Sequence, residues 1–242
     1  MAFIAISYRV RPGHEEEIAE IFAEGNFRRA DSAEYRDEQG RRAGRNVSTG
    51  LFIEGELMTR VVQFEGDLRQ IGRHMGGQQG VKEAERKLSP FLQVPRDTET
   101  VEGFQQYFQN ALMTCVFQEF REERSAQLAA WAHRIQPGAE DGICEVFERV
   151  QGEVLSKPAE GGDPLIASAA FIKDDYLVWA VQYDGEFDGL ARRLVDSGLA
   201  PRTEDGLRPF LAGGRDAAGP ERFGAAAMRR LQMLSAGVPG EH

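Results

Sequence analysis

The 242-residue chain has few cysteines, lysines and histidines. It contains two cysteines, Cys115 and Cys144, and only four of its 29 basic residues are lysine. Two cysteines make neither a disulfide framework nor a CxxC pair, so we expect reduced thiols and a cytoplasmic protein. The four histidines are not spaced from one another, or from the cysteines, as zinc ligands usually are, so no bound metal is expected.

Long apolar runs and an excess of positive charge are also missing. No segment approaches the length that spans a bilayer, and the start, MAFIAISYR, lacks the basic region of a secretion signal. The net charge is −10, whereas nucleic acids and anionic membranes are bound by clustered lysine and arginine. These absences argue against nucleic-acid and membrane partners and leave a small organic substrate open.

Common cofactor and catalytic motifs are absent as well. The chain has no P-loop, no HExxH, no GxSxG and no GxGxxG after a strand. The glycine-rich stretch HMGGQQG (74–80) lacks dinucleotide-binding spacing, and we interpret it as a flexible turn. No cofactor is therefore expected.

What the chain does contain is an internal repeat. Residues 9–22, RVRPGHEEEIAEIF, align without a gap to residues 134–147, RIQPGAEDGICEVF, with seven of fourteen positions identical. The offset in residue number between matching positions is 125 here and falls to 119 further along the chain. There VVQFEGD (61–67) matches AVQYDGE (180–186). Such self-similarity over most of a chain indicates duplication, and we assign residues 1–122 and 123–242 to two repeats.

Each repeat predicts the same series of elements. A strand closed by Pro-Gly leads into a helix with an acidic first turn, followed by a hairpin and a second amphipathic helix. A segment ending in Pro-Phe-Leu is predicted as a last strand, and an added helix follows. The hairpin turns are predicted around residues 54–56 and 173–175, the added helices at about 101–119 and 219–235, and a charged loop at 27–45.

This order, βαββαβ, is the ferredoxin-like arrangement, which makes an α+β fold with helices on one face of an antiparallel sheet. The other face is apolar and needs a cover, and a second sheet is the simplest one. We therefore predict tandem ferredoxin-like repeats that form an intramolecular α+β barrel, each with an extra C-terminal helix. The alternative is that each repeat pairs with another subunit in a homodimer.

Candidate site residues alternate along the first strand of each repeat. Ile6 and Tyr8 share one face of the strand, and their counterparts in the second repeat are Trp131 and His133. One interpretation makes them core residues. The other points them into the barrel, where Tyr8 and His133 would be catalytic and Trp131 would stack on an aromatic ligand.

Three further residues are candidates. Gln63 and Gln182 occupy matching positions in strongly apolar strands, where a buried amide must find partners, either in the protein or on a ligand carbonyl or phenol. His74 ends the second helix of the first repeat, where Arg193 stands in the second repeat. It acts either as a cation at the helix end or as a base at the mouth of a pocket.

Several segments together resemble one family. The opening MAFIAISYRVRPGHEEEIAEIF, with TGLFIEG, VVQFEGDL, RHMGGQQGVKEAERKLSPFL and PRDTETVEGF, resembles the SchA/CurD-like proteins that accompany aromatic polyketide synthases. The repeat also looks like that of the antibiotic-biosynthesis monooxygenases, which form dimeric α+β barrels and often carry a histidine where His74 falls.

The resemblance implies a tailoring reaction on an aromatic polyketide. The function that we predict from it is oxidation of a polycyclic phenol or anthrone by O₂ without a cofactor, to a hydroxylated or quinone product. A polyketide cyclase or aromatase, and a non-catalytic binding protein of the synthase complex, are the alternatives.

Overall fold

The computed structural model of the chain describes residues 1–24, 26, 32–37, 39–157, 163–213 and 219–235. They divide into two units, each an antiparallel sheet with helices. Unit 1 comprises Met1–Leu112 together with the segment that begins at Arg229, and unit 2 comprises Met113–Met228.

Unit 1 alternates strands and helices along the chain. Its elements are β1 (Ala2–Arg9), α1 (Glu15–Phe22), β2 (Glu34–Arg36), β3 (Arg42–Glu54), β4 (Leu57–Gly66), α2 (Leu68–Gly77), α3 (Gln79–Leu88), α4 (Val101–Ala111) and, from the far end of the chain, β9 (Arg229–Ser235).

Unit 2 repeats this series. Its elements are β5 (Thr114–Phe120), β6 (Gln127–Arg134), α5 (Glu140–Phe147), which continues through a π-helical turn (Glu148–Gly152) into α6 (Glu153–Leu155), β7 (Leu165–Lys173), β8 (Tyr176–Tyr183), α7 (Phe187–Asp196), α8 (Leu199–Leu207) and α9 (Pro220–Ala225).

Local sequence accounts for the two hairpins. β3 and β4 are joined at Gly55, which has φ +55°, and β7 and β8 are joined at Asp174, which has φ +52°. Both residues occupy the left-handed region that tight hairpin turns require and that glycine and aspartate tolerate. The predicted hairpins are confirmed.

The strand order is that of a ferredoxin-like sheet. Unit 1 has the order β1-β4-β3-β2, with β9 also paired to β3, and unit 2 has β5-β7-β8-β6. The predicted last strand is reduced in both units to a single bridge beside the first strand, between Val10 and Leu92 and between Ile135 and Leu211. The 3₁₀ turns at Ser89–Phe91 and Arg208–Phe210 take up the rest of that segment.

The added helices exist but are shorter than predicted. α4 ends at Ala111 and α9 at Ala225, and a strand follows each of them. The helix prediction is wrong beyond these two residues, because Thr114–Phe120 and Arg229–Ser235 pair in sheets. β5 joins the sheet of unit 2 and β9 that of unit 1, so the compact units differ from the repeats 1–122 and 123–242, a boundary that stays a prediction.

Two other segments differ from expectation. In the charged segment 27–45, β2 and the start of β3 replace a loop, while residues 27–31 and 38 lie outside the described residues. The stretch HMGGQQG forms the end of α2 and the start of α3 instead of a flexible turn. A Cβ on Gly72 or Gly76 would lie 3.1 Å from the ring of Phe108 or Phe104, so these glycines let α4 pack closely on α2.

The α+β class and the tandem ferredoxin-like repeats are therefore confirmed. Closure of the two sheets into one barrel and pairing into a homodimer stay predictions. No helix among the described residues is long and apolar enough to cross a membrane.

Candidate functional site

The first strand of each repeat turns its alternate side chains toward the helices. Ile6 and Tyr8 of β1 belong to one buried cluster with Ile18 of α1 and Phe104 of α4. In unit 2, Trp131 of β6 packs in the same way with residues of α5 and α7. These side chains therefore pack in the core of their own unit, and their position inside a closed barrel stays a prediction.

A cavity lies between the sheet and the helices of unit 1, with a volume of about 50 Å³. That leaves room for a few water molecules. Aliphatic and aromatic side chains form most of its wall. The lining residues are Ile6, Tyr8, Phe22, Asn46, Thr49, Met58, Arg60, Val62, Ile71, Met75, Val81, Ala84, Glu85, Leu88, Phe104, Tyr107 and Phe108.

Two tyrosines and a buried ion pair meet at this cavity. The guanidinium carbon of Arg96 lies 4.6 Å from the ring centroid of Tyr8 and 3.9 Å from that of Tyr107, which is cation–π geometry. The Nε of Arg96 donates to Oε2 of Glu85 at 2.9 Å, and its Nη2 donates to the same oxygen. Only about a tenth of either charged side chain is exposed.

Burial sets the protonation behaviour of this cluster. Desolvation raises the pKa of Glu85, although Arg96 opposes the rise. The pKa of Tyr107 is raised well above its usual value, first by burial and then by Tyr8, against the opposing charge of Arg96. Glu85 is therefore a stronger base than an exposed carboxylate would be.

His74 lies at the end of α2, next to the cavity and outside its wall. Its Nε2 donates to the carbonyl oxygen of Ser32 at 2.9 Å, and its ring lies 5.0 Å from that of Tyr35. The hydroxyl of Tyr35 donates to Oδ1 of Asn46, which lines the cavity. Tyr35 and Asn46 therefore connect His74 to the cavity that Tyr8 also lines.

His133 lies elsewhere, in unit 2, and it does not line the unit-1 cavity. Its Nε2 is 3.5 Å from Oε1 of Glu204 on α8. Burial lowers the pKa of His133 to about 4. Burial is also the main cause that raises the pKa of Glu204 to about 7, with a smaller contribution from Asp205 and an opposing one from Arg208.

Trp131 is fully buried in the core of unit 2. Its indole stacks on Phe223, with ring centroids 4.6 Å apart, and lies 5.3 Å from Trp179. Its Nε1 donates to the carbonyl oxygen of Phe223 at 3.0 Å. These contacts account for the residue without a ligand, so its predicted stacking role stays a prediction.

Gln63 and Gln182 are fully buried in their sheets. The amide nitrogen of Gln182 donates to the carbonyl oxygen of Arg124 at 2.9 Å, and that of Gln63 lies 3.4 Å from the sulfur of Met1. Neither residue lines the unit-1 cavity. Their predicted contact with a ligand stays a prediction.

Of the residues predicted from the sequence, Tyr8 lines this cavity, and its neighbours Glu85, Arg96 and Tyr107 were not among the candidates. One signal was available, because the offset of 119 places Glu204 opposite Glu85, so both repeats carry a carboxylate at this point of an amphipathic helix. Arg215, the counterpart of Arg96, lies outside the described residues. Among the described residues, no group of three or more His, Cys, Asp or Glu side chains is arranged to hold a metal ion.

Comparison with known proteins identifies relatives along most of the chain. The family model described as "SchA/CurD like domain" matches residues 1–120 and 126–236. The chain is 28% identical over 187 residues to a 42.8 kDa protein in the whiE locus of Streptomyces coelicolor, and 26% identical over 185 residues to polyketide synthase CurD of Streptomyces cyaneus. Each alignment covers 75% of this chain and under half of the relative, 44% and 47% respectively, so the chain spans less than half their length.

A solved structure supports the fold independently. A protein from Lactobacillus acidophilus that carries the provisional name monooxygenase superposes with a TM-score of 0.50 over 97% of both chains. Only 6% of the residues are identical, so this likeness shows the fold alone.

Proposed function

Because the chain belongs to the SchA/CurD-like family, we propose that it acts in aromatic polyketide biosynthesis, where it oxidises a phenol- or anthrone-type intermediate with O₂. The reaction needs no organic cofactor or metal in this proposal. The observation that supports it is the meeting of Tyr8, Glu85, Tyr107 and Arg96 at an apolar and aromatic cavity.

The first step is loss of a proton from the substrate. An anthrone or polycyclic phenol becomes electron-rich once it is deprotonated, and its anion can itself reduce O₂. Glu85 lines the cavity and accepts the proton, since burial raises its pKa. The hydroxyl of Tyr8 donates to the oxygen on which negative charge develops, and Arg96 adds a positive charge beside it once Glu85 has taken the proton and become neutral.

The second step transfers electrons to oxygen. The substrate anion reduces O₂, a new carbon–oxygen bond forms, and the peroxide takes back the proton that Glu85 holds. Loss of water from the hydroperoxide of an anthrone leaves a quinone, so that a CH₂ group and O₂ become a carbonyl and water. The walls exclude bulk water and hold the ring in place.

A substrate with several rings is larger than the present cavity of about 50 Å³. Met58 and Met75 in the wall have flexible side chains that can move to make room. We therefore expect the cavity to widen when the substrate binds.

The proposal is tested by oxygen uptake with purified protein and an anthrone or polycyclic phenol. Tyr8→Phe keeps the ring under Arg96 and removes the hydroxyl donor, so kcat should fall by about 100-fold, the effect of losing one such donor. Tyr176→Phe, in unit 2 and beneath Arg134, is the matched control and should keep the wild-type rate. The same assay on His74→Ala and His133→Phe tests the catalytic roles predicted for those histidines.

The alternatives give different results in this assay. A cyclase or aromatase would convert a poly-β-ketone equally well under strict anaerobiosis, and a non-catalytic binding protein would bind aromatic ligands without turnover. Either result would overturn the oxygenase proposal. Full activity of Tyr8→Phe would instead remove Tyr8 from the mechanism and leave the reaction class standing.

A further inference from the structure

The two units differ most sharply at one pair of neighbouring strand positions. In unit 1, Ile6 of β1 is paired with Arg60 of β4. In unit 2, Trp131 of β6 is paired with Trp179 of β8 at the corresponding place. The two indoles are fully buried against each other in unit 2, whereas Ile6 and Arg60 border the cavity in unit 1. The fold therefore does not require an arginine at this point.

Arg60 also lacks the partner that a half-buried arginine usually has. Its Nη1 donates to Oε1 of Gln232 on β9 at 3.3 Å, which is a contact with a neutral amide. Among the residues that the structure describes, no carboxylate lies within ion-pair distance of it. Glu85, the acidic residue of the cavity wall, is bonded to Arg96 and senses Arg60 only through space.

We propose that Arg60 binds an anionic oxygen of the ligand, so that the unit-1 cavity selects planar aromatic acids over neutral aromatics of the same shape. The guanidinium offers fixed N–H donors that match a carboxylate, and it also suits a phenolate. The apolar wall accepts the rings, while Thr49 and Asn46 add polar atoms on the β3 side. The inference rests on the proposed function, which places the ligand in this cavity. It goes further by requiring that the ligand has an anionic group.

The other arginine near the cavity, Arg96, has a different environment. Arg96 is already neutralised by Glu85 and lies against two tyrosine rings, so it offers no free charge to a second anion. Among the wall residues that the structure describes, Arg60 is thus the cation open to a ligand. A bound aromatic acid would place its anionic group on β4 and direct its rings toward Tyr8 and Tyr107.

The experiment measures binding without turnover. Anthracene-2-carboxylate, its neutral carboxamide and 2-hydroxyanthracene are titrated anaerobically, with ligand fluorescence as the readout. Wild type should bind the carboxylate at least tenfold more tightly than the carboxamide. Arg60→Gln should remove that preference, a loss of about 10- to 100-fold for a hydrogen-bonded charge, while Arg60→Lys should keep part of it.

Arg69→Gln is the control, because it removes the same charge from an exposed position on α2. It should leave both affinities unchanged, and thermal melting should show that all variants are folded. If 2-hydroxyanthracene binds more tightly as the pH rises through the pKa of its hydroxyl, and does so in wild type only, then the site also binds a phenolate. Tight binding of the carboxylate with no such change would restrict the site to carboxylates.

Equal affinity of wild type for carboxylate and carboxamide, or an unchanged preference in Arg60→Gln, would overturn the inference. These outcomes are separate from those that test the oxygenase. If the protein selects anions but takes up no O₂, only the proposed reaction is refuted. If it takes up O₂ and Arg60→Gln leaves the KM unchanged, only the role of Arg60 is refuted.

Discussion

At the scale of single residues, the buried pair His133 and Glu204 shows how an enclosed environment redistributes a proton. With pKa values of about 4 and about 7, the folded pair carries one proton between these pH values, and that proton is on Glu204. In the unfolded chain the usual values are 6.5 and 4.5, so a single proton is carried by histidine instead. Burial thus favours two neutral groups over an ion pair, and the opposite pH dependences that the two groups give to stability nearly cancel.

Removing either partner should uncover the pH dependence of the other. In His133→Phe, Glu204 keeps a pKa above its unfolded value, so the free energy of unfolding should fall as pH rises from about 4.5 through about 7. In Glu204→Gln, His133 keeps a pKa below its unfolded value, so stability should fall as pH drops from about 6.5 toward about 4.

Urea unfolding across this pH range measures both slopes. The double variant His133→Phe/Glu204→Gln is the control, and its pH profile should resemble that of the wild type, because the two slopes offset each other there. Slopes of the same sign in the two single variants would contradict this account of the pair.

At the scale of elements, the sequence predicted the features that depend on residues close together in the chain and did not predict those that depend on distant partners. The turns at Gly55 and Asp174, and the buried face of α1 that contains Ile18, follow from residues close together in the chain, and the structure confirms them. The sheets that β5 and β9 join could not be predicted, because their partners are distant in sequence. The apolar and aromatic residues Val116, Phe117 and Phe120 were a local strand signal that the helix prediction passed over.

The candidate site shows the same limit. Tyr8 was predicted because it alternates with apolar residues on a recognisable strand. Arg96 lies in a segment without regular structure between Leu92 and α4, and only the folded chain brings it to Glu85. Pairing of a charged residue across such a distance leaves no periodic pattern in one sequence.

Strand β9 follows unit 2 in the chain but pairs with β3 of unit 1, and we expect it to protect the edge of that sheet. It pairs with β3 from Ser48 to Ile53 and also carries Gln232, the partner of Arg60. Deleting the chain from Arg229 should therefore expose the β3 edge. Hydrogen exchange followed by mass spectrometry should show lost protection of amides 48–53, whereas β7 and β8 in unit 2 serve as the internal reference and stay protected. Equal loss of protection in both units would mean that β9 stabilises more than its own sheet.

At the scale of the whole molecule, duplication has produced two units with one architecture and different interiors. Unit 2 packs aromatic rings between its sheet and helices, among them the fully buried Trp131, Trp179 and Phe223. Unit 1 keeps a cavity with charged and hydroxyl-bearing side chains in its wall. We infer that unit 1 carries the ligand site and that unit 2 contributes mainly stability.

Exchanging the residues at one equivalent position tests this division. Ile6→Trp introduces into unit 1 the residue that unit 2 carries as Trp131, and the added ring atoms must enter the cavity. Affinity for an aromatic ligand should fall more than tenfold, with a stability cost of about 1–3 kcal/mol for overpacking. Trp131→Ile should cost about 3 kcal/mol of unfolding free energy through lost burial and stacking, yet leave ligand affinity unchanged.

The two variants are each other's control, because both exchange the same pair of residue types at matching strand positions. Ligand titration and urea unfolding on both proteins give four numbers, and the division of roles requires a large affinity loss only in Ile6→Trp. We expect Trp131→Ile to lose more stability than Ile6→Trp, because the indole of Trp131 also donates a hydrogen bond to the carbonyl oxygen of Phe223. If Trp131→Ile instead abolished binding while Ile6→Trp did not, the ligand site would have to be placed in unit 2, where His133 and Trp131 lie.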